Sequence, residues 1–133
     1  AQAWLDTFLS VAPEWLDLMV ATPLRINVAI GCGDVATALE MAREVTATGE
    51  LPVRPAELST AVGAAYTWAG LAPEARDALA VAVARSTVEQ RFTAHTMSLV
   101  SMAIVELEEG NLAAAHAAAT EMAPSAPASS PAE

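Results

Sequence analysis

The sequence predicts an all-α fold of short antiparallel helix pairs stacked side by side, and three observations carry that reading. Alanine supplies 32 of the 133 residues; it is the best helix former, loses no side-chain entropy and lets helices approach closely. One signature recurs, a glycine followed five residues on by an alanine: Gly33 with Ala38, Gly70 with Ala75, Gly110 with Ala115, at spacings of 37 and 40 residues. Apolar residues three and four apart flank each copy, and no alternating apolar–polar run of useful strand length appears.

Two short helices are expected first. Residues 3–11 present Trp4, Leu5, Phe8 and Leu9, and Pro13 opens a second helix carrying Trp15, Leu18 and Met19. Pro23 should end it, because proline disfavours helix in the residue before it. The first full pair joins 24–32 to 35–46, with Val35, Ala38, Leu39, Ala42 and Val45 inward. Gly33 suits the left-handed residue that closes a helix, and Asp34 the N-cap of the next. A loop over 48–54 leads to the second pair. Its first helix, 55–69, sets Leu58, Val62, Ala65 and Ala69 on one stripe. Its second, 73–85, aligns Ala75, Leu79, Ala82 and Val83, with Pro73 at the start. The longest helix is predicted over 87–109, opened by a capping box at Thr87-Val88-Glu89-Gln90. Phe92, Leu99, Ala103 and Leu107 share its main face, widened by Val100 and Ile104, as suits a helix packed on two neighbours. Asn111 caps the last helix, 112–122, which aligns Leu112, Ala115, Ala119 and Met122. The division is a helical-repeat domain over 1–123 with junctions near 33, 70 and 110, then a Pro/Ala/Ser-rich tail or linker over 124–133, ending in one acid, with nothing to bury. The start without methionine, directly in a helical pattern, suggests a segment of something longer.

The architecture is that of a tetratricopeptide-like α-solenoid, and particular residues resemble one use of it. Trp4-Leu5-Asp6, then Ala12-Pro13-Glu14 with Trp15-Leu16, then Thr22-Pro23-Leu24, look like the opening of the helical arm of the large ATP-dependent LuxR-type transcriptional regulators, the MalT-like group. Gly33-Asp34 with Ala38, Thr67-Trp68-Ala69-Gly70 with Ala75, and Glu108-Glu109-Gly110-Asn111 with Ala115 resemble its repeat junctions; the resemblance spans residues 3–123. It implies the arm's role, receiving a signal molecule or partner protein and passing that state to attached modules. The family's ATP and DNA functions map onto no residue here, since the chain has neither a glycine-rich loop ending in Lys-Ser or Lys-Thr nor a basic recognition helix.

Composition narrows the chemistry. Sixteen acids face six bases, a formal charge of −10, and every base is arginine. An acidic surface repels phosphate backbones, so direct nucleic-acid binding is not expected. Without lysine there is no P-loop lysine and no Schiff base. The single cysteine, Cys32, excludes an internal disulfide and is expected as a small buried residue beside a turn. No apolar run reaches the roughly 18 residues that span a bilayer, so a cytoplasmic protein is expected. His95 and His116 lie 15 residues before and 6 after Gly110; at 1.5 Å per residue they fall at different heights of one pair and share no metal. Glu106, Glu108 and Glu109 read as a solvated face.

The expected function is therefore non-catalytic, with no cofactor: a scaffold for protein interaction or signal sensing. Its inner groove, lined by helices 24–32, 55–69 and 87–109, would take a partner protein, a peptide or a small-molecule inducer. Arg25, Tyr66, Trp68, Arg91 and His95 are its candidate contacts. Tyr66 and Trp68, two apart, cannot both join the Val62–Ala69 stripe, so one faces a neighbouring helix and the other a groove or solvent. The alternative is a structural or oligomerising helical domain without a ligand of its own, as a homo-oligomer.

Overall fold

The computed structural model describes residues 2–11 and 14–122. The helix start at Pro13, the tail over 124–133 and the side chains of Phe8, Leu9, Val11 and Trp15 lie outside the described residues. All regular structure among the described residues is helical. Helix α1 is Gln2–Val11 and α2 is Glu14–Leu16, followed by a π-helical turn at Asp17–Ala21. Then come α3 (Thr22–Gly31), α4 (Val35–Ala47), a 3₁₀ turn at Leu51–Val53, α5 (Ala56–Trp68), α6 (Ala72–Glu89), α7 (Phe92–Glu108) and α8 (Leu112–Met122).

Pro23 does not end a helix. The backbone runs helically from residue 14 to 31, and Pro23 sits in the first turn of α3. In a regular α-helix its ring would meet the carbonyl of Met19. Here the preceding turn is widened, and the Thr22 N–H reaches back five residues to the Asp17 carbonyl. A π turn absorbs the proline.

Four helix junctions close alike. Each has a left-handed residue, Gly33 (φ 79°), Gly70 (72°), Gln90 (56°) or Gly110 (78°). The next N–H then bonds the carbonyl five residues back: Asp34 to Ala29 at 2.8 Å, Leu71 to Tyr66 at 3.0 Å, Arg91 to Ser86 at 2.8 Å and Asn111 to Glu106 at 2.7 Å. This is the Schellman closure. The same residue's carbonyl accepts the first bond of the following helix, from Ala38, Ala75, His95 and Ala115. One residue thus ends one helix and begins the next. The five-residue spacing marks the first side chain that points inward, and Ala38, Ala75 and Ala115 are all buried.

The Gln90 junction corrects two boundaries. Thr87 is no N-cap: its hydroxyl donates to the Val83 carbonyl inside α6, while Glu89 pairs with Arg85 one turn back. Helix α6 therefore continues past 85, becomes the longest at 18 residues, and α7 starts at Phe92.

Consecutive helices pack on one another, α3 on α4, α4 on α5, α5 on α6, α6 on α7 and α7 on α8; α3 also meets α5, and α5 meets α7. Helix α5 is thus flanked on most sides, and Leu58, Ser59, Ala61, Val62, Gly63, Ala65, Tyr66 and Thr67 are buried in succession. Ile26, Ala38, Ala42, Leu79 and Val105 join it in the core. The contact with α6 is close: a Cβ on Gly63 would lie 2.6 Å from Leu79 Cγ. Leu51 of the 48–54 connection is also buried in this core.

Three burial expectations change. On α7 the buried seam is Ala94, Ser98, Ser101 and Val105 with Leu99, whereas Phe92 and Leu107 are exposed. Small residues let α7 approach α5, and the Ser98 hydroxyl is partnered across the contact by Thr60 Oγ1 at 2.9 Å. On α8 the buried residues are Ala115 and Ala118, with Leu112 exposed. Cys32 is exposed, because the whole turn over 32–34 faces solvent.

Candidate ligand groove

The π turn, α3, the first half of α5 and the start of α7 enclose an open cavity of about 520 Å³, within the range of small-molecule sites. Its walls are mostly apolar. Met19 and Val20 come from the π turn, Pro23 and Leu24 from α3, Ala61 from α5, and Phe92, Ala94 and Met97 from α7. Val20, Leu24, Phe92 and Met97 are each substantially exposed, Phe92 by 78 %.

Each wall has a local cause. The widened turn before Pro23 rotates Met19 and Val20 out of a regular α-helical register. After the left-handed Gln90, α7 runs back against α5, where Ala94 and Ser98 both meet Thr60. Arg91 is the residue before α7, and Glu57 lies in the first turn of α5, where the positive end of the helix dipole favours an acid. These are the charged groups lining the cavity. Arg91 Nη1 stands 3.6 Å from Glu57 Oε1, an ion pair longer than a hydrogen bond. Glu57 Oε2 is sealed from solvent and has no hydrogen-bond partner.

Of the five side chains expected in the groove, Arg91 lines this cavity. Arg25 turns to α1, where Nη2 meets Asp6 Oδ1 at 3.2 Å. Tyr66 is 4 % exposed, and its hydroxyl shares a 2.9 Å hydrogen bond with Thr46 of α4. Trp68, 60 % exposed, stands at the far end of α5. Tyr66 is therefore the member of the pair that packs on a neighbour. His95 lies in a shallower hollow with Ser86, Thr87, Gln90, Arg91 and Phe92. Sequence reasoning missed Glu57, Leu24 and Met97, and placed Phe92 in the core. A first-turn acid was the available signal for Glu57.

A second polar cluster surrounds His95. Nδ1 lies 3.1 Å from Ser86 Oγ, and Nε2 lies 3.6 Å from Glu121 Oε1. The order of groups is that of a serine–histidine–acid relay. Ser86, however, is 1 % exposed and its hydroxyl donates to the Val83 carbonyl, so no substrate carbonyl reaches it. His95 serves to tie α6, α7 and α8 together.

A third cluster joins α6, α7 and the turn before α8. Arg76 clasps Glu106 with two nitrogens, at 2.5 and 3.1 Å, and the Asn111 amide donates to Glu106 at 2.7 Å. These bonds, Arg76's first and Asn111's second, hold the Glu106 carboxyl below its ordinary pKa and raise that of Arg76. Glu106 is thus a partly buried tether, while Glu108 and Glu109 face solvent. Asp34 is also depressed, by the Thr37 hydroxyl and then the Thr37 N–H; the latter is its N-cap bond. Among the described residues no group of three or more His, Cys, Asp and Glu could hold a metal ion, and no helix is long and apolar enough to cross a membrane.

No protein-family model, curated protein or solved structure matches the chain.

Proposed function

We propose that this chain is a non-catalytic helical-repeat scaffold, a short α-solenoid of antiparallel pairs α3/α4, α5/α6 and α7/α8, whose inner groove receives a signal molecule. The cavity between α3, α5 and α7 carries this reading. The packing supports it, because the first helix of each pair meets the first helix of the next, as repeat scaffolds arrange their binding surface. Three pairs are about the minimum for a stable array. The resemblance to the arm of MalT-like LuxR-type regulators makes transcription control the context, with attached modules reading the groove. No direct contact with nucleic acid is assigned to this segment, whose charge is −10.

Nile red, an apolar uncharged dye, tests the groove. It should bind the wild-type chain with enhanced fluorescence, and Met97→Glu should weaken it about tenfold or more, since a charge in an apolar wall costs at least that much. Met97 is half-exposed, so the fold should survive, as far-UV circular dichroism will show. Equal dye binding by both proteins would remove the groove from consideration. The exposed Val88, Leu107 and Leu112 support a second reading, a self-associating structural domain. Light scattering decides it: a mass independent of concentration and equal to one chain excludes it.

A further inference from the structure

The two charged groups of the cavity are mismatched, and the mismatch has chemical content. Glu57 and Arg91 neutralise each other across 3.6 Å without hydrogen bonding. The carboxylate keeps one oxygen sealed and unpartnered. A buried carboxylate oxygen without a donor costs more than it would in water, and the terminal torsion of glutamate is soft, so the group can turn toward a donor that enters the cavity. Arg91 offers several N–H donors in a planar fork, suited to a carboxylate. An acceptor for a donor and a donor for an acceptor thus stand side by side in an open, mostly apolar groove. Met19 and Met97 make that groove adaptable in shape.

We infer, resting on the groove reading above, that the ligand is a small zwitterion with an apolar body, of the apolar α-amino-acid type. Its ammonium group bonds the Glu57 carboxylate, its carboxylate bonds Arg91, and its side chain lies against Leu24, Phe92 and Met97. The ligand inserts into an ion pair too long to be a hydrogen bond and leaves every charge partnered. A purely anionic ligand would face Glu57 and a chain of net charge −10, and a purely cationic one would face Arg91. Only a head carrying both charges satisfies both walls.

Calorimetric titration of the full chain tests this with L-phenylalanine and L-leucine, against N-acetyl-L-phenylalanine, which lacks the ammonium, and L-phenylalanine amide, which lacks the carboxylate. The zwitterions should bind about tenfold or more tightly than either blocked compound, the scale of one charge-assisted hydrogen bond. Glu57→Gln should abolish the discrimination against the acetylated compound, and Arg91→Gln that against the amide. Equal binding of all four compounds would overturn the inference, and so would no binding of the zwitterions. If Nile red still occupies the groove and is lost in Met97→Glu, only the identity of the head group has failed. If the dye too is indifferent to Met97→Glu, the groove itself has failed.

Discussion

At Gln90 a residue with a full side chain holds a conformation that glycine holds at the other three junctions. The left-handed region costs an L-residue about 1 kcal/mol or somewhat more. Gln90→Gly should therefore raise the free energy of unfolding by about 1 kcal/mol in a denaturant titration; a fall would mean that the glutamine side chain supports the turn. Gly63 presents the opposite case. Alanine is the better helix former by about 1 kcal/mol, but its Cβ would collide with Leu79, which is fully buried and cannot swing away. Gly63→Ala should destabilise by about 2 kcal/mol, as overpacking does. A third residue carries an uncompensated cost. The Ser59 hydroxyl is buried within α5 and has no partner. Removing a desolvated hydroxyl removes its penalty, so Ser59→Ala should stabilise by about 1 kcal/mol, and thermal melts of the two proteins will check the sign.

Between elements, the Arg76–Glu106–Asn111 cluster fastens α7 and the turn before α8 to α6. The Glu106 carboxyl is depressed in the folded state. Its contribution is therefore fully present above its unfolded value, about pH 4.3, and is lost as pH falls through the lower folded value. Stability of the wild type should drop on acidification through that window. Glu106→Gln should be less stable at neutral pH and lose less on acidification, as denaturant titrations at neutral and acid pH will show; parallel losses in both proteins would discount the tether. The same scale shows why the helix boundaries were only partly legible. The glycine-plus-five-alanine rhythm marks three junctions because glycine is the residue suited to left-handed backbone. The fourth junction has the same hydrogen bonds with Gln90 and His95 in those two places, and so carries no such mark. Thr87, three residues earlier, has the side-chain pattern of a helix start, but the backbone there already belongs to α6.

For the whole molecule, the packing order sets the order of opening. Helix α5 touches α3, α4, α6 and α7, whereas α1 meets chiefly the π turn and α8 chiefly α7. Amides of α5 should exchange with solvent only through global unfolding, and those of α1 and α8 through local opening. Hydrogen-exchange mass spectrometry should give α5 the slowest peptides; uniform protection from α1 to α8 would contradict this. The groove lies against this rigid centre, with Glu57, Thr60 and Ala61 supplied by α5 itself, so its walls are positioned independently of the fraying ends.

The sequence by itself determined the helical class, six of the helix starts to within a residue or two and three of the turns, because these follow from local physics: alanine content, apolar period, and glycine at left-handed backbone. The inner stripes of α4, α5 and α6 were also legible, with Ala38, Ala42, Leu58, Val62, Ala65, Ala75, Leu79 and Ala82 buried as their spacing implies, whereas tertiary structure decided which faces of α7 and α8 are inside. On α7 it buried Ser98 and Ser101 and exposed Phe92, because close approach to α5 rewards small side chains, and the Ser98 hydroxyl finds Thr60 across the contact. It also decided the groove. The widened turn before Pro23 and the left-handed Gln90 bring Met19, Glu57 and Arg91 to one cavity, from positions far apart in the chain. No local pattern encodes that meeting, because only packing sets the distance between their helices.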